Sequence, residues 1–335
     1  MKVLKIIGMI LLALIVIIAV LSLIAPKSFQ VDRTITIDAP RPLVFSHVKF
    51  WRNWQAWSPW ARMDSSMQVS VAGVDGTVQS TYSWNSTTVG SGAMTNTGLR
   101  DNEEIAYHLH FKEPWESHAD GYVRLADAEG KTQVTWGFYG KSPIPWNSLS
   151  LFMSMDKMVG KDFEQGLVLL KQICEDEYTA VKKYSVREVP FPATTYAIIQ
   201  KQLSFDELQS FFAQSYAAIM QMLTKNRVPM AGAPAALYYE WDEQHRTTNV
   251  AAAIPLRIKV RPKAIPIIEL PATTGYVVDY YGPYEQLGPA HIACDLYLSQ
   301  KGLQLQPPVI EEYLTDPQSE PDSAKWLTRI YYFGK

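Results

Sequence analysis

The apolar positions of this chain fall into three patterns, each predicting a different kind of structure. From Ile6 to Pro26 the run IIGMILLALIVIIAVLSLIAP holds no charged residue. Its length is close to the ~20 residues that a helix needs to cross a bilayer. Between Phe29 and Glu175 short alternating stretches predict strands. VDRTITIDAP alternates and breaks at Asp38 and Pro40, a short helix follows from Arg41 to about Phe50, and strands are expected over Gln68–Val71, Val78–Trp84, Gly92–Leu99, Glu104–Phe111, Ser117–Leu125 and Thr132–Tyr139. Gly, Asp and Asn separate them, as turns require. Apolar residues then recur every three or four positions, at Leu149, Phe152, Met155, Val159, Phe163, Leu167, Leu170 and Cys174, which predicts one long amphipathic helix. Such a helix laid across a curved antiparallel sheet is expected to enclose an apolar cavity.

The third pattern is a repeat. FPATTYAIIQ from Phe191 and LPATTGYVVD from Leu270 each lead into an alternating apolar segment, Tyr196–Ile199 and Tyr276–Val278, that fits a half-buried strand. Each strand turns into a helix. The first is expected over Phe205–Asn226, with Ser204 as N-cap and Glu207 at the capping-box position. The second is expected over Tyr284–Lys301, stopped by Gly302. A proline-led strand follows each helix, GAPAALYYEW around Pro234 and QPPVIEEYLTDP around Pro308. These align with Leu237 opposite Ile310 once a gap of several residues is allowed. A unit packed against its own copy leaves a pseudo-symmetric groove between the copies, a common place for ligands.

Composition sets the domain count. At 335 residues, 47% of them hydrophobic, the chain is too long for one ordinary domain and can fill two cores. The expected fold class is α+β: an N-terminal transmembrane helix (1–27), an antiparallel sheet gripped by a helix (28–176) and the duplicated strand-helix-strand domain (184–335). A short charged linker from about Asp176 to Lys183 joins the last two. The net charge is only −2 with both signs mixed, and no helix-turn-helix pattern is present, so nucleic acid is not an expected partner. Cys174 and Cys294 fall in different domains and are expected as buried free thiols rather than a disulfide. His108 and His110 share a strand face with His118 nearby in sequence, yet no Cys or carboxylate completes a metal set at recognisable spacing, so neither a metal nor another cofactor is expected. The string WRNWQAWSPW packs Trp51, Trp54, Trp57 and Trp60 together, either lining a ligand mouth or plugging one end of a barrel.

The apolar N-terminal run is read as a retained anchor rather than a cleaved signal. It is long for a signal peptide, small residues at the cleavage positions are poor, and Pro26 follows Ala25 where a cut would fall. Lys2 and Lys5 before it and Lys27 and Arg33 after it barely discriminate orientation. A very short basic tail usually stays inside, which places the soluble domains outside the cytoplasm of a single-pass, bacterial inner-membrane protein.

Two family resemblances build on these residues. ITIDAPRPLVFSHV, the Trp51–Trp60 segment with Pro59, and the helix DFEQGLVLLKQ resemble the SRPBCC superfamily (START, Bet v 1, polyketide cyclase-like) over nearly all of 29–175. That resemblance implies the helix-grip fold and a pocket for hydrophobic ligands. VREVPFPATTYAII, AGAPAALYYEWD, YYGPYEQLGPAHIACDLYLSQKGL, PPVIEEYLTDP and WLTRIYYF resemble the GyrI-like, AraC-type effector-binding (SHS2-repeat) domain over about 184–335. In that family a glutamate on the strand after the second helix lies at the floor of the groove, walled by aromatics, and pairs with cationic or polar aromatic ligands. The resemblance implies this role for Glu311.

Strand alternation puts Glu311 and Tyr313 on one face and Ile310 and Glu312 on the other, and a one-residue slip would make Glu312 the inward residue. Tyr238, Trp241, Tyr281, Tyr284, Trp326 and Tyr331 are the candidate walls, each able to add about 0.5–2 kcal/mol of cation–π attraction when well placed. The chain departs from transcription-factor relatives in lacking a DNA-binding module, so signalling to a promoter is not expected.

The leading expectation is a membrane-anchored protein that binds amphipathic or cationic aromatic small molecules in the groove, with a second apolar pocket in the helix-grip domain. The alternative is a hydrolase of reactive electrophilic xenobiotics, with Glu311 as general base and Tyr313 or Tyr281 as donor. A third reading is a scaffold or envelope-stress protein whose grooves take a peptide or lipid.

Overall fold

The computed structural model describes residues 2–257, 266–315 and 319–335. Asp316 and Pro317, the end of the PPVIEEYLTDP motif, lie outside them. The chain divides into two compact units, Met1–Tyr178 and Thr179–Lys335.

The first unit begins with helix α1 (Lys2–Ile24), followed by strand β1 (Ser28–Ile37) and three short helices, α2 (Arg41–Lys49), α3 (Trp51–Trp57) and α4 (Pro59–Met63). Strands β2 (Gln68–Ala72), β3 (Thr81–Ser86), β4 (Gly90–Arg100), β5 (Glu104–Glu113), β6 (Ser117–Ala128) and β7 (Lys131–Lys141) come next, and helix α5 (Met155–Val181) closes the unit. The seven strands form one antiparallel sheet, ordered β1-β7-β6-β5-β4-β3-β2 and curled into a half-barrel.

Helix α5 lies against this sheet through Phe163, stacked 4.2 Å from Trp136, and through Gly166, whose missing side chain leaves room for the same indole. It starts later than the apolar spacing predicts. Leu149 and Phe152 are exposed instead of lining its buried face, because the chain from Trp146 to Leu151 winds as a 3₁₀ turn. Fully buried Asn147 pins that turn by donating to the Ser22 and Ala25 carbonyls.

The tryptophans of α3 are core. Trp51, Trp54 and Trp57 are at most 2% exposed and form a continuous ring cluster with Tyr107 and Trp136. Their indole N–H groups are satisfied inside the unit: Trp51 bonds Ser80, Trp54 the Val48 carbonyl and Trp57 the His47 carbonyl. Of the two roles open in the sequence, these rings take that of the plug.

The second unit carries β8 (Arg187–Phe191), β9 (Thr194–Ser204), α6 (Leu208–Asn226), β10 (Ala235–Asp242), β11 (Thr247–Pro255), β12 (Ile267–Leu270), β13 (Thr273–Tyr281), α7 (Gly288–Lys301), β14 (Val309–Tyr313) and β15 (Leu327–Tyr332). Its eight strands form one sheet, ordered β12-β9-β11-β10-β14-β15-β13-β8. The duplication is visible residue by residue. Each PATT opens a strand at its first threonine, and each helix is entered by a 3₁₀ turn, Phe205–Glu207 and Tyr284–Gln286, at the same offset as the PATT motifs. The helices end in left-handed caps at Arg227 (φ 53°) and Gly302 (φ 69°), and α7, with 14 residues against 19, is shorter by rather more than one turn. That shorter helix accounts for most of the gap that aligns the following strands. β10 and β14 pair antiparallel at the centre of the sheet with Leu237 directly opposite Ile310, so the pseudo-twofold axis runs through the two residues that the repeat makes equivalent.

Both helices cover the same face. α6 packs Phe211, Ile219, Met222 and Leu223 on Ala197, Val250, Ala252 and Ile254, while α7 packs Ala290, Cys294 and Leu298 on Tyr276, Val278, Ile330 and Tyr332. Tyr238 touches both clusters, on the seam between them. Cys174 and Cys294 are free and buried.

Candidate functional site

The seam is where chemistry collects. On β14 the side chains of Val309, Glu311 and Tyr313 alternate with Ile310, which packs in the opposite core with Leu237, Phe191 and Phe333. Glu311 therefore faces the helices, and Glu312 points to the other side of the sheet. Glu311 is 6% exposed, and cross-strand pairing puts it beside Ala236. By the pseudo-twofold, Tyr238 is its counterpart in the first copy.

The Glu311 carboxyl group is held by two tyrosines and a histidine. Tyr313 donates to Oε2 at 2.8 Å and Tyr238 to the same oxygen at 3.5 Å, while His291 Nε2 lies 3.0 Å from Oε1. His291 Nδ1 is 3.1 Å from the Tyr332 hydroxyl. One tautomer satisfies both ring contacts: Nε2–H donates to Glu311, and Nδ1 accepts from Tyr332. Burial first, and then the Glu311 charge, push the Tyr238, Tyr313 and Tyr216 hydroxyls well above the ordinary tyrosine range, so at neutral pH they are donors and not bases. No lysine or arginine among the described residues bonds to Glu311, whose only ion-pair partner is His291.

Aromatic rings flank this carboxylate from both copies. A bulge in β10 between Tyr238 and Glu240 shifts the alternation, so Trp241 joins Tyr238 on the groove side, 5.7 Å away ring to ring, and stacks on Phe205 at 4.1 Å. Phe212 and Tyr216 of α6 continue this wall. Across the seam Tyr284 lies 5.1 Å from both Tyr313 and Trp326. Beside Tyr313 on β15, fully buried Thr328 carries a hydroxyl with no hydrogen-bond partner.

The structure thus brings Glu311, Tyr313, Tyr238, Trp241, Tyr284 and Trp326 together. It separates two candidates from them. Tyr331 alternates with Ile330 and Tyr332 and falls on the opposite face, against Phe191. Tyr281, at the end of β13, is 64% exposed, because the groove-side position of that strand belongs to Tyr280. The residue that sequence reasoning missed is His291. Overlaying the two helices from their shared 3₁₀ entry puts His291 opposite Phe212 and Asp295 opposite Tyr216, so the repeat itself marks His291 as a groove-facing position.

A second polar cluster sits on β5 and β6. Here the expectation that no carboxylate joins the histidines is corrected, because the hairpin turn folds Glu116 back to 3.0 Å from His110 and strand pairing sets Asp120 2.9 Å from His108. Ligand atoms of His110, Glu116 and His118 lie within 4.8 Å of one another. Two imidazoles and a carboxylate are a donor set of the kind that zinc-like ions take. Among the described residues no such set occurs in the second unit.

The second unit is thus a duplicated domain with an acidic, aromatic-walled seam at its pseudo-twofold. A family model of the GyrI-like small molecule binding domain matches residues 184–332, which form such a domain. Solved structures resemble parts of the chain distantly. The EcmrR C-terminal domain is 19% identical with a TM-score of 0.41, covering 45% of this chain and 98% of its own. EcmrR in its DNA complex is 18% identical with a TM-score of 0.41, covering 56% and 79%. A hydrolase from Listeria innocua is 10% identical with a TM-score of 0.34, covering 45% and 92%. No curated protein matches the chain.

Proposed function

We propose that the protein is a membrane-anchored receptor for small amphipathic molecules, cationic aromatic ones above all, which enter the seam between α6 and α7. The observation that carries this reading is Glu311, a 6% exposed acidic side chain bonded by two hydroxyls and an imidazole but, among the described residues, by no lysine or arginine. Burying a carboxylate with no lysine or arginine beside it is costly, and a cationic guest supplies a permanent positive charge while stacking on Tyr238, Trp241, Tyr284 and Trp326. Titrating the detergent-solubilised full chain with a fluorescent lipophilic aromatic cation tests this. One saturable site, weakened at least tenfold by Glu311→Gln, supports the proposal; equal affinity in the variant sinks it.

The hydrolase reading keeps Glu311 as general base with Tyr313, 2.8 Å away, as donor. Product release from a strained electrophile, absent in Glu311→Gln, would favour it over binding alone.

Helix α1 is proposed to be the anchor of a single-pass inner-membrane protein whose two units lie outside the cytoplasm. Val3–Ile24 is 22 residues long, and an 18-residue stretch of it has a mean hydropathy of 3.3. Its last turn is also part of the first unit: Ser22 is 1% exposed and donates to the Pro145 carbonyl, and Asn147 bonds the Ser22 and Ala25 carbonyls. Cleaving a signal there would leave the buried Asn147 amide without acceptors, a cost of about 1–3 kcal/mol. The half-barrel with its closing helix supports an SRPBCC-type assignment for residues 28–176. Trp51, Trp54 and Trp57 are part of its core, so the seam is the leading ligand site and an apolar pocket in this unit the secondary one.

A further inference from the structure

The segment from Ile144 to Met153 has its polarity inverted. Asn147 and Ser148 are buried, while Ile144, Trp146, Leu149, Phe152 and Met153 are between 52% and 76% exposed. Elsewhere in the described residues, outside α1, large exposed apolar side chains are mostly scattered singly, as on ordinary surfaces. Here five fall within ten residues, and they occupy a particular place in the fold.

Strand register fixes that place. Ser28, the first residue of β1 after α1, pairs with Lys141 at the end of β7, and the β5–β6 turn carrying Trp115, itself 74% exposed, closes the same end of the sheet. The 144–153 segment leaves from this end and touches α1 directly: the Pro145 carbonyl is 3.1 Å from Ser22 Oγ, and the Asn147 amide is 2.8 Å from the Ser22 carbonyl. A helix of 22 residues is about 33 Å long, close to the roughly 30 Å of a bilayer's hydrocarbon core. Ser22 therefore lies at the boundary of that core, and the residues bonded to it lie at the same depth.

We infer that residues 144–153, together with Trp115, form a membrane-seating surface whose rings enter the interfacial layer of the bilayer that α1 crosses. This rests on the reading of α1 as a span. The chemistry fits that layer: indole rings favour the headgroup boundary, Phe, Leu and Met reach just below it, and exposed Lys27, Lys141 and Lys157 border the patch where anionic headgroups sit. Polar residues turned inward and apolar ones outward are what a surface facing lipid requires.

The test uses the full chain in phosphatidylcholine/phosphatidylglycerol vesicles, with one introduced cysteine per variant carrying an environment-sensitive maleimide dye. Native Cys174 and Cys294 are fully buried, and unmutated chain reports their background. Leu12→Cys probes the span, Met153→Cys the patch, and Asp127→Cys, beside the β6–β7 turn at the other end of the sheet, the aqueous reference. The inference expects quenching by lipids with shallow spin labels to be at least threefold stronger at Met153 than at Asp127, with Leu12 quenched by deep labels. Leu12 quenched and Met153 matching Asp127 overturns the seating and leaves the span intact. No quenching at Leu12 overturns the span and the seating with it. A blue-shifted Met153 dye that is the same in vesicles and in detergent, and is not quenched by lipid labels, means that protein covers the patch, which also overturns the inference.

Discussion

Replacing Trp54 by alanine distinguishes a core ring from a ligand-lining one, and the structure sets the size of the effect. Trp54 is 2% exposed and touches Trp51 and Trp57 at 4.9 and 4.6 Å and Tyr107 and Trp136 at 5.5 and 5.9 Å. Its removal opens a cavity worth about 3–5 kcal/mol, because four fixed rings cannot collapse into it. It also leaves the buried Val48 carbonyl without its indole donor, about 1 kcal/mol more. The total, roughly 4–6 kcal/mol, is a large share of the ~5–15 kcal/mol that holds an ordinary domain together. At about 2–4 °C per kcal/mol the melting transition of the first unit falls by roughly 10–20 °C. Differential scanning calorimetry of the solubilised full chain reads this directly, and near-UV circular dichroism shows whether tryptophan packing is lost in the same transition. Cation affinity at the seam, measured below that transition, stays unchanged. A melting point within about 3 °C of the parent, with ligand binding lost, would refute the reasoning and return these rings to a ligand mouth.

Three further outcomes follow. Tyr313→Phe removes the 2.8 Å donor to Glu311, so thermal stability drops by about 1 kcal/mol while cation affinity, read by quenching titration, is not reduced. Tyr331→Ala leaves cation affinity within about twofold, because that ring lies on the opposite face of the sheet. Burial raises the folded-state tyrosine values at Tyr238, Tyr313 and Tyr216, and at Tyr82 to about 12, above the unfolded value near 10. Their contribution is therefore complete below about pH 10 and is lost as pH rises through the folded values. Tyrosinate absorbance at 295 nm should rise for these residues together with unfolding, and a separate titration near pH 10 in the folded state would contradict it.

Much of this was legible in the sequence because periodicity is local. The PATT repeat, the Ser204–Glu207 capping box and the αL stop at Gly302 are each written within a few residues, and the structure shows all three. Alternation along β14 was enough to put Glu311 with Tyr313 and against Ile310. What period alone could not show was where tertiary contacts override it. The β10 bulge carries Trp241 to the groove side, a shift that nothing in AALYYEWD announces. Tyr281 and Tyr331 are aromatic residues in the right strands but out of phase with the groove. Leu149 and Phe152 continue the helical spacing of α5, yet buried Asn147 bonds to the end of α1 and holds that stretch as a turn. Glu116 joins the histidines only because the β5–β6 hairpin closes on itself, which requires knowing where the turn falls.

The central claim is that the seam recognises positive charge through Glu311. It is tested most directly by titrating parent and Glu311→Gln chains with a lipophilic aromatic cation and its neutral isostere. At an effective dielectric near 20, opposite charges about 4 Å apart attract by about 4 kcal/mol. Competing hydration leaves about 1.4–3 kcal/mol of that, or roughly 10- to 150-fold in affinity. The account predicts that the cation weakens by that factor in the variant while the isostere stays within about threefold. Equal losses for both ligands, or none for the cation, would contradict it.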